Sequence, residues 1–334
     1  MGAVGLPQGF GPPTPPLKER GFRKPIMPLT IDPPPAAPEL DLAEVTARLD
    51  ESGVDLSDEA SLAHCIALLA GLARNRSFLA DRVVAALKQG CADQVAINRH
   101  SAQVFLLHRG ARGYYLRANL WPAATDAVTT ASGAQAFAYG LPHDHNFHFL
   151  TIGYFGPGYI SDDYEVDAER LDGRLGEPLA LRAAGQSQLR EGSMMLYRAH
   201  RDIHCQHPPP SLSVSLNIMD EGEHIPWRDQ YIVDLGGGTP DAPATIAQRP
   251  TLTSTELLLR AAVHLHENAR DIADHFAKAH PVPRVRAHAI AALAAAEAGE
   301  GRAAVLERGL RDPDARVRDD CRRWLRFPRS SKLM

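Results

Sequence analysis

At 334 residues, 44% hydrophobic and 23% charged, the chain has the composition of an ordinary globular protein long enough for two cores. Its net charge of −4 argues against a nucleic-acid partner, which needs a concentrated basic surface, although the last 50 or so residues are locally basic. There is no run of about 18 apolar residues to cross a membrane and no secretory leader pattern. Cys65, Cys91, Cys205 and Cys321 lie far apart, so free thiols in a reducing cytoplasm are expected.

Residues 1–40 hold 11 of the 26 prolines and read as a tail or a surface arm, because proline fixes φ and removes a backbone donor. Between residues 41 and 95 the spacing of Leu62, Ile66, Leu69 and Leu72 predicts helices packed on the next domain. Ser77 is the expected N-cap of one over Phe78–Gln89. Residues 96–240 break into short apolar or alternating runs: Val104–Leu107, Tyr114–Leu120, Gln135–Tyr139, His148–Tyr154, Ser193–Tyr197, Leu212–Met219 and Gln230–Leu235. Gly, Pro and Asp clusters separate them, the pattern of an all-β sandwich or barrel.

Residues 251–328 read as helical, with Leu257, Ala261, Leu265, Ile272 and Phe276 as the apolar stripe. Arg284-Val285-Arg286 recurs as Arg316-Val317-Arg318, the second copy preceded by Asp312-Pro313-Asp314-Ala315. That phrase resembles the turn and helix start of a HEAT-type repeat, and a plain helical bundle is the competing reading. The repeats are the expected surface for a protein partner.

The chemistry concentrates in Gly140-Leu141-Pro142-His143-Asp144-His145. On a strand, alternate side chains share a face, so His143 and His145 converge while Asp144 points away. His204, in the run that starts at Glu191-Gly192, is the candidate third ligand; His200 and His207 are the alternatives for that place, and His148 is a candidate fourth ligand. Three neutral imidazoles leave an ion its full charge and open positions, which suits Fe(II) with O2 and also admits Zn or Ni. Arg117 and Tyr115 share one strand face. An arginine turned into a barrel needs an anion, such as a substrate carboxylate. Ser211, Ser213, Ser215 and Asn217 alternate with Leu212, Val214, Leu216 and Ile218, so the polar set is expected near the ion. Tyr154 and Tyr159 are expected to shape a loop at the mouth.

These residues carry a resemblance. The HxH pair with Gly156 eleven residues on, and the later Gly192…His204 run, resemble the two cupin motifs. Within the cupins the chain is similar to three-histidine thiol dioxygenases of the cysteine dioxygenase type over roughly residues 103–235. Phe149 stands where many cupins place a glutamate ligand, so the resemblance implies a three-histidine site of His143, His145 and His204. It also implies that Arg117, beside Tyr115, grips a substrate carboxylate. The family's Ser-His-Tyr relay survives only at Ser215, with Asn217 and Met219 in the other places, which puts thiol oxidation itself in question. The resulting expectation is an α+β protein: N-terminal helices, a cupin jelly-roll barrel and a HEAT-like helical end. Its function would be Fe(II)-dependent oxygenation of a small carboxylate-bearing molecule or a peptide residue. A metal-binding scaffold or sensor whose repeats bind a partner protein is the alternative.

Overall fold

The structure, a computed structural model, describes residues 28–35, 37–98, 101–222, 225–237, 243–266 and 268–326. Most of the Pro-rich arm therefore lies outside the described residues. The chain divides into two compact units. One combines the described part of Lys24–Ala168 with Pro178–Pro250, and the other combines Glu169–Glu177 with the described part of Thr251–Met334.

In the first unit, in chain order, stand β1 (Leu29–Ile31), α1 (Leu42–Ser52), α2 (Glu59–Arg74), α3 (Phe78–Lys88), α4 (Ala92–Ile97), β2 (Val104–Gly110), β3 (Tyr114–Trp121) and α5 (Ala127–Ser132). After them come β4 (Phe149–Phe155), β5 (Ile160–Glu165), β6 (Arg182–Gln188), β7 (Met194–Tyr197), β8 (Asp202–His207), β9 (Ser213–Asp220), β10 (Ile232–Asp234) and β11 (Thr245–Gln248). Asp41 and Asp58 cap α1 and α2, accepting from the backbone N–H of Glu44 and Ser61. Ser77 makes no cap bond; Asn75 instead accepts from the N–H of Ser77 and Phe78.

Every strand pair is antiparallel. One sheet runs β1-β7-β4-β9-β3-β2, a second β6-β5-β8, and β10 pairs with β11. The large sheet explains its own sequence. On its outer face Leu116, Leu150, Ile152, Leu216 and Ile218 pack with Leu49, Leu68, Leu69 and Leu72 of α1 and α2 in one apolar cluster. Each such side chain contributes about 1.5–3 kcal/mol when fully buried. Its inner face carries the alternate residues: Tyr115, Arg117, Asn119 and Trp121 of β3, and Ser213, Ser215, Asn217 and Met219 of β9.

Two sequence expectations fail here. Gln135–Tyr139 is not a strand, because Ala134–Phe137 forms a 3-10 turn that ends on Ala138 in the left-handed region. Conversely β5, β6 and β8 were unexpected, since ISDDYE and RAAGQSQ lack an apolar period.

The second unit holds α6 (Ser254–Leu265), α7 (Ala269–Ala279), α8 (Pro283–Ala295), α9 (Gly299–Gly309) and α10 (Ala315–Arg326). The two Arg-Val-Arg phrases open α8 and α10 in the same way. Val285 and Val317 are fully buried, Arg286 Nη1 donates to the carbonyls of His280 and Pro281, and Arg318 Nη1 to those of Asp312 and Pro313. The expected stripe on α6 and α7 is a correction. Leu257, Leu265 and Ile272 are exposed, and Glu256, Leu259, Val263 and Ala273 form the buried face. Glu256 is tolerated there because it completes a capping box with Thr253 and pairs with the buried Arg284 at 2.8 Å. No described helix is long and apolar enough to cross a membrane.

Candidate metal centre

His143 is joined to β8 by two backbone hydrogen bonds, each 3.0 Å, exchanged with His204. His143 and His145 therefore sit on an extended segment that only bridges the sheet, rather than on a regular strand. The result is still convergence. Nε2 of His204 stands 3.2 Å from Nε2 of His145 and 3.3 Å from Nε2 of His143. All three ligand atoms lie within 4.8 Å of one another. Nitrogens about 2.0–2.1 Å from one first-row ion stand roughly 3–3.4 Å apart at octahedral to tetrahedral angles, so these two spacings fit a single ion.

The donor set suits a metal chemically as well. His143 donates from Nδ1 to the Leu141 carbonyl (2.7 Å), which fixes the tautomer and leaves the Nε2 lone pair free. Burial lowers the pKa of all three imidazoles, those of His145 and His204 well below the usual value because repulsion from neighbouring imidazoles adds to it, while at His143 the Leu141 carbonyl and Asp144 oppose the shift. They stay neutral, as ligands must. Asp144 points away as its position requires. Its carboxylate accepts from the Tyr231 N–H and pairs with Nδ1 of His200 at 3.0 Å, bracing the segment from behind.

The other histidines are engaged elsewhere. His148 accepts through Nδ1 from the Ala199 N–H, His200 is held by Asp144, and Nε2 of His207 meets Asp162 at 2.7 Å. Phe149, in place of a carboxylate, lies edge-on to His145 (4.8 Å between ring centroids) and stacks on Tyr197 at 4.6 Å. No acidic ligand joins the cluster among the described residues.

Arg117 faces this interior in register with Asn217, and Asn217 with Thr151. Its Nε is buried without a hydrogen-bond partner, and burial pushes its pKa down to about 10. Its charge acts on His145 and Tyr159. No carboxylate among the described residues pairs with it. Tyr115 is placed differently from the expectation. Its hydroxyl donates to Glu221, which also receives Arg109 (Nη2 at 2.6 Å), and it lines a cavity of about 560 Å³ with Phe147 and Met219.

Ser215 accepts from the Trp121 indole N–H at 3.0 Å, and Ser213 from the Gly158 N–H at 3.0 Å. Ser213 therefore fastens a turn rather than serving the ion. Asn217 is 2% exposed and its Nδ2 has no partner. Tyr159 is no mouth residue: it is buried against Trp121, 4.3 Å between centroids, and Tyr154 bonds Asn75 on the opposite face. Sequence reading also missed Thr151, Ser161, Asp163 and Gln206, all buried on inward positions. Alternation within the polar run of β5 was the only available signal.

No family model and no curated protein matches the chain. Solved structures are similar only at a low level. A hydroquinone 1,2-dioxygenase in complex with Cd2+ and 4-hydroxybenzonitrile is 14% identical with a TM-score of 0.23, covering 39% of this chain and 71% of that one. The hydroquinone 1,2-dioxygenase of Sphingomonas sp. TTNP3 is 12% identical at a TM-score of 0.23, with the same coverage of 39% and 71%. A DMSP lyase from Ruegeria pomeroyi DSS-3 is 14% identical at 0.20, covering 57% of this chain and 77% of that one. Likeness of this degree carries no weight for the chemistry, which rests on the geometry of the chain itself.

Proposed function

We propose that the histidine-bearing unit is a cupin-type jelly-roll barrel and a mononuclear non-haem Fe(II) oxygenase. Its substrate would be a small carboxylate-bearing molecule, an amino acid or thiol derivative, or such a group on a peptide. One observation supports this most: an inward arginine whose Nε is buried without a partner, with no carboxylate paired to it among the described residues, faces the same interior as three neutral, converging imidazoles. A buried charge costs several kcal/mol unless paired, and a substrate carboxylate pairs with arginine bidentately.

His143, His145 and His204 would hold the ion, and Fe(II) there would supply the one-electron chemistry that O2 requires. Arg117 binds and orients the substrate, and Asn217 beside it offers an amide donor. Phe149 packs edge-on against His145 and His204, and Tyr197 against His204, so the two rings shield that side of the histidines from water. Ser215 is tied to Trp121, and neither Asn217 nor Met219 titrates, so the proton relay of thiol dioxygenases has no counterpart here. The resemblance to that type is therefore claimed for the metal half of the site only.

The test is O2 uptake by the anaerobically Fe(II)-loaded protein with carboxylate-bearing thiols and amino acids. Uptake that disappears in Arg117→Met supports the reading; a tightly held Zn with no uptake on any of them overturns it. The second reading, a scaffold whose HEAT-like helices bind a partner protein, is favoured by the exposed Leu257, Leu258, Leu265 and Ile272. A partner captured through that face by an oxygen-inert protein would support it.

A further inference from the structure

Where β2 turns into β3 and β9 runs out, the chain leaves a hollow, and the sequence says why. Gly110, Ala111, Gly113 and Gly222 meet there, and none brings a side chain large enough to fill the space. The cavity of about 560 Å³ falls within the roughly 300–1,000 Å³ of small-molecule sites. Its far wall, Ile225 and Pro226, is fastened by the buried Asn146, whose Nδ2 donates to the carbonyls of Ile225 and Arg228 at 3.0 Å each. Asn146 is the residue between His145 and Phe147. Phe147 lines the cavity, and its ring centroid stands 4.9 Å from that of His145, so the same side chain touches the cavity and a metal ligand.

The charged groups on these walls already have partners. Glu221 accepts from Arg109 through Nη2 at 2.6 Å and Nε at 3.1 Å, and from the Tyr115 hydroxyl. Asp220 accepts from the Gly222 N–H at 3.0 Å. Among the described residues, every buried side-chain N or O atom without a partner belongs to a residue outside these walls. A charged guest would therefore give up its hydration with nothing new to pair with, which is costly. What the walls offer instead is apolar: the Phe147 ring, the Met219 thioether and the Pro226 ring. A ring face and a thioether both favour an aromatic guest over an aliphatic one of the same size, each by about 2- to 10-fold in affinity.

We propose that this cavity is a binding site for a small uncharged aromatic molecule, held against Phe147 and Met219 with only the Phe147 ring between it and His145. The site goes beyond the oxygenase reading and needs neither Arg117 nor O2. It forms without the ion, because the hairpin, the end of β9 and the Asn146 bonds build it.

The test is proton NMR of anisole, an uncharged ring and a poor metal ligand, titrated with the full chain. The metal-free wild type is expected to bind anisole saturably at one site. It should bind cyclohexyl methyl ether, which has a similar shape without the aromatic ring, about 2- to 10-fold more weakly. Ala111 is an exposed turn residue on the cavity wall, so Ala111→Trp fills the space without disturbing a core and is expected to weaken anisole about tenfold or more. Should that variant not fold, Met219→Leu keeps the volume, removes the thioether and is expected to cost about twofold or more. With Co(II) bound at the three histidines, the anisole resonances are expected to broaden in wild type but not in Ala111→Trp, and with Zn(II) in neither. Anisole that does not bind, or that binds folded Ala111→Trp as tightly as wild type, overturns the site. Equal affinity for the cyclohexyl ether, or benzoate displacing anisole as the tighter ligand, overturns the uncharged aromatic class. Bound anisole that Co(II) leaves sharp overturns its place beside His145.

Discussion

Arg117→Met separates stability from binding more sharply than any other change. Burial takes the Arg117 pKa from 12.5 to about 10 with no anion in contact to offset it. At about 1.4 kcal/mol per pKa unit, that is a cost of roughly 3 kcal/mol to fold the charged form. The sign is definite. A cation whose folded pKa is depressed carries this penalty in full at every pH below about 10, hence at pH 7. Methionine keeps most of the aliphatic volume without the charge, so the metal-free variant is expected to gain up to about 3 kcal/mol. For a unit of this size that raises Tm by about 6–12 °C. Affinity for a carboxylate ligand is expected to fall about 10- to 100-fold in the same protein. Thermal unfolding and ligand titration read the two effects. A destabilised Arg117→Met would refute the reasoning, because it would mean that the guanidinium already has its counter-charge within the protein.

Glu256→Ala should destabilise the helical unit by about 3–5 kcal/mol, since it strands the buried Arg284. Hydrogen bonds from Arg284 and Thr253 hold the Glu256 pKa below its usual value against the opposing effect of burial, so its stabilisation is present above pH 4.5 and lost as pH falls through the depressed value. Circular dichroism of that unit against pH checks it. In the metal-free protein the three histidines have depressed pKa values, so the unfolded chain takes up protons first. Stability should fall as pH drops below 6.5, and a bound metal should remove most of that dependence. Gly158→Ala should cost several kcal/mol in urea unfolding, because φ is +76° and a Cβ would stand 1.9 Å from the Leu189 carbonyl oxygen.

Where the chain obeys a simple period, the sequence was readable. Strands such as Tyr114–Trp121 and Ser213–Asp220 have one apolar face on α2 and one polar face inward, so alternation found them and placed Arg117 and Asn217 inside. The histidine pair was legible because two ligands two residues apart share a face even without regular strand pairing. What failed has physical causes. Both faces of β5 and β6 are polar, since Ser161 and Asp163 face a polar interior, so no hydrophobic signal marks them. The helical stripe was assigned to the wrong side because α6 buries Glu256 by pairing it with Arg284, a contact set by a distant residue. Tyr115 and Tyr159 were misplaced because their partners, Glu221 and Trp121, are remote in sequence and no local pattern announces them.

The central claim is that three histidines hold one ion, and metal stoichiometry tests it most directly. Anaerobic titration of the metal-free chain with Fe(II) should saturate at one ion per chain. His143→Ala, His145→Ala and His204→Ala should each abolish tight binding, while His148→Ala, His200→Ala and His207→Ala should retain the ion. Tight binding that survives loss of His204, or disappears with His148 or His207 in a folded variant, would contradict the account.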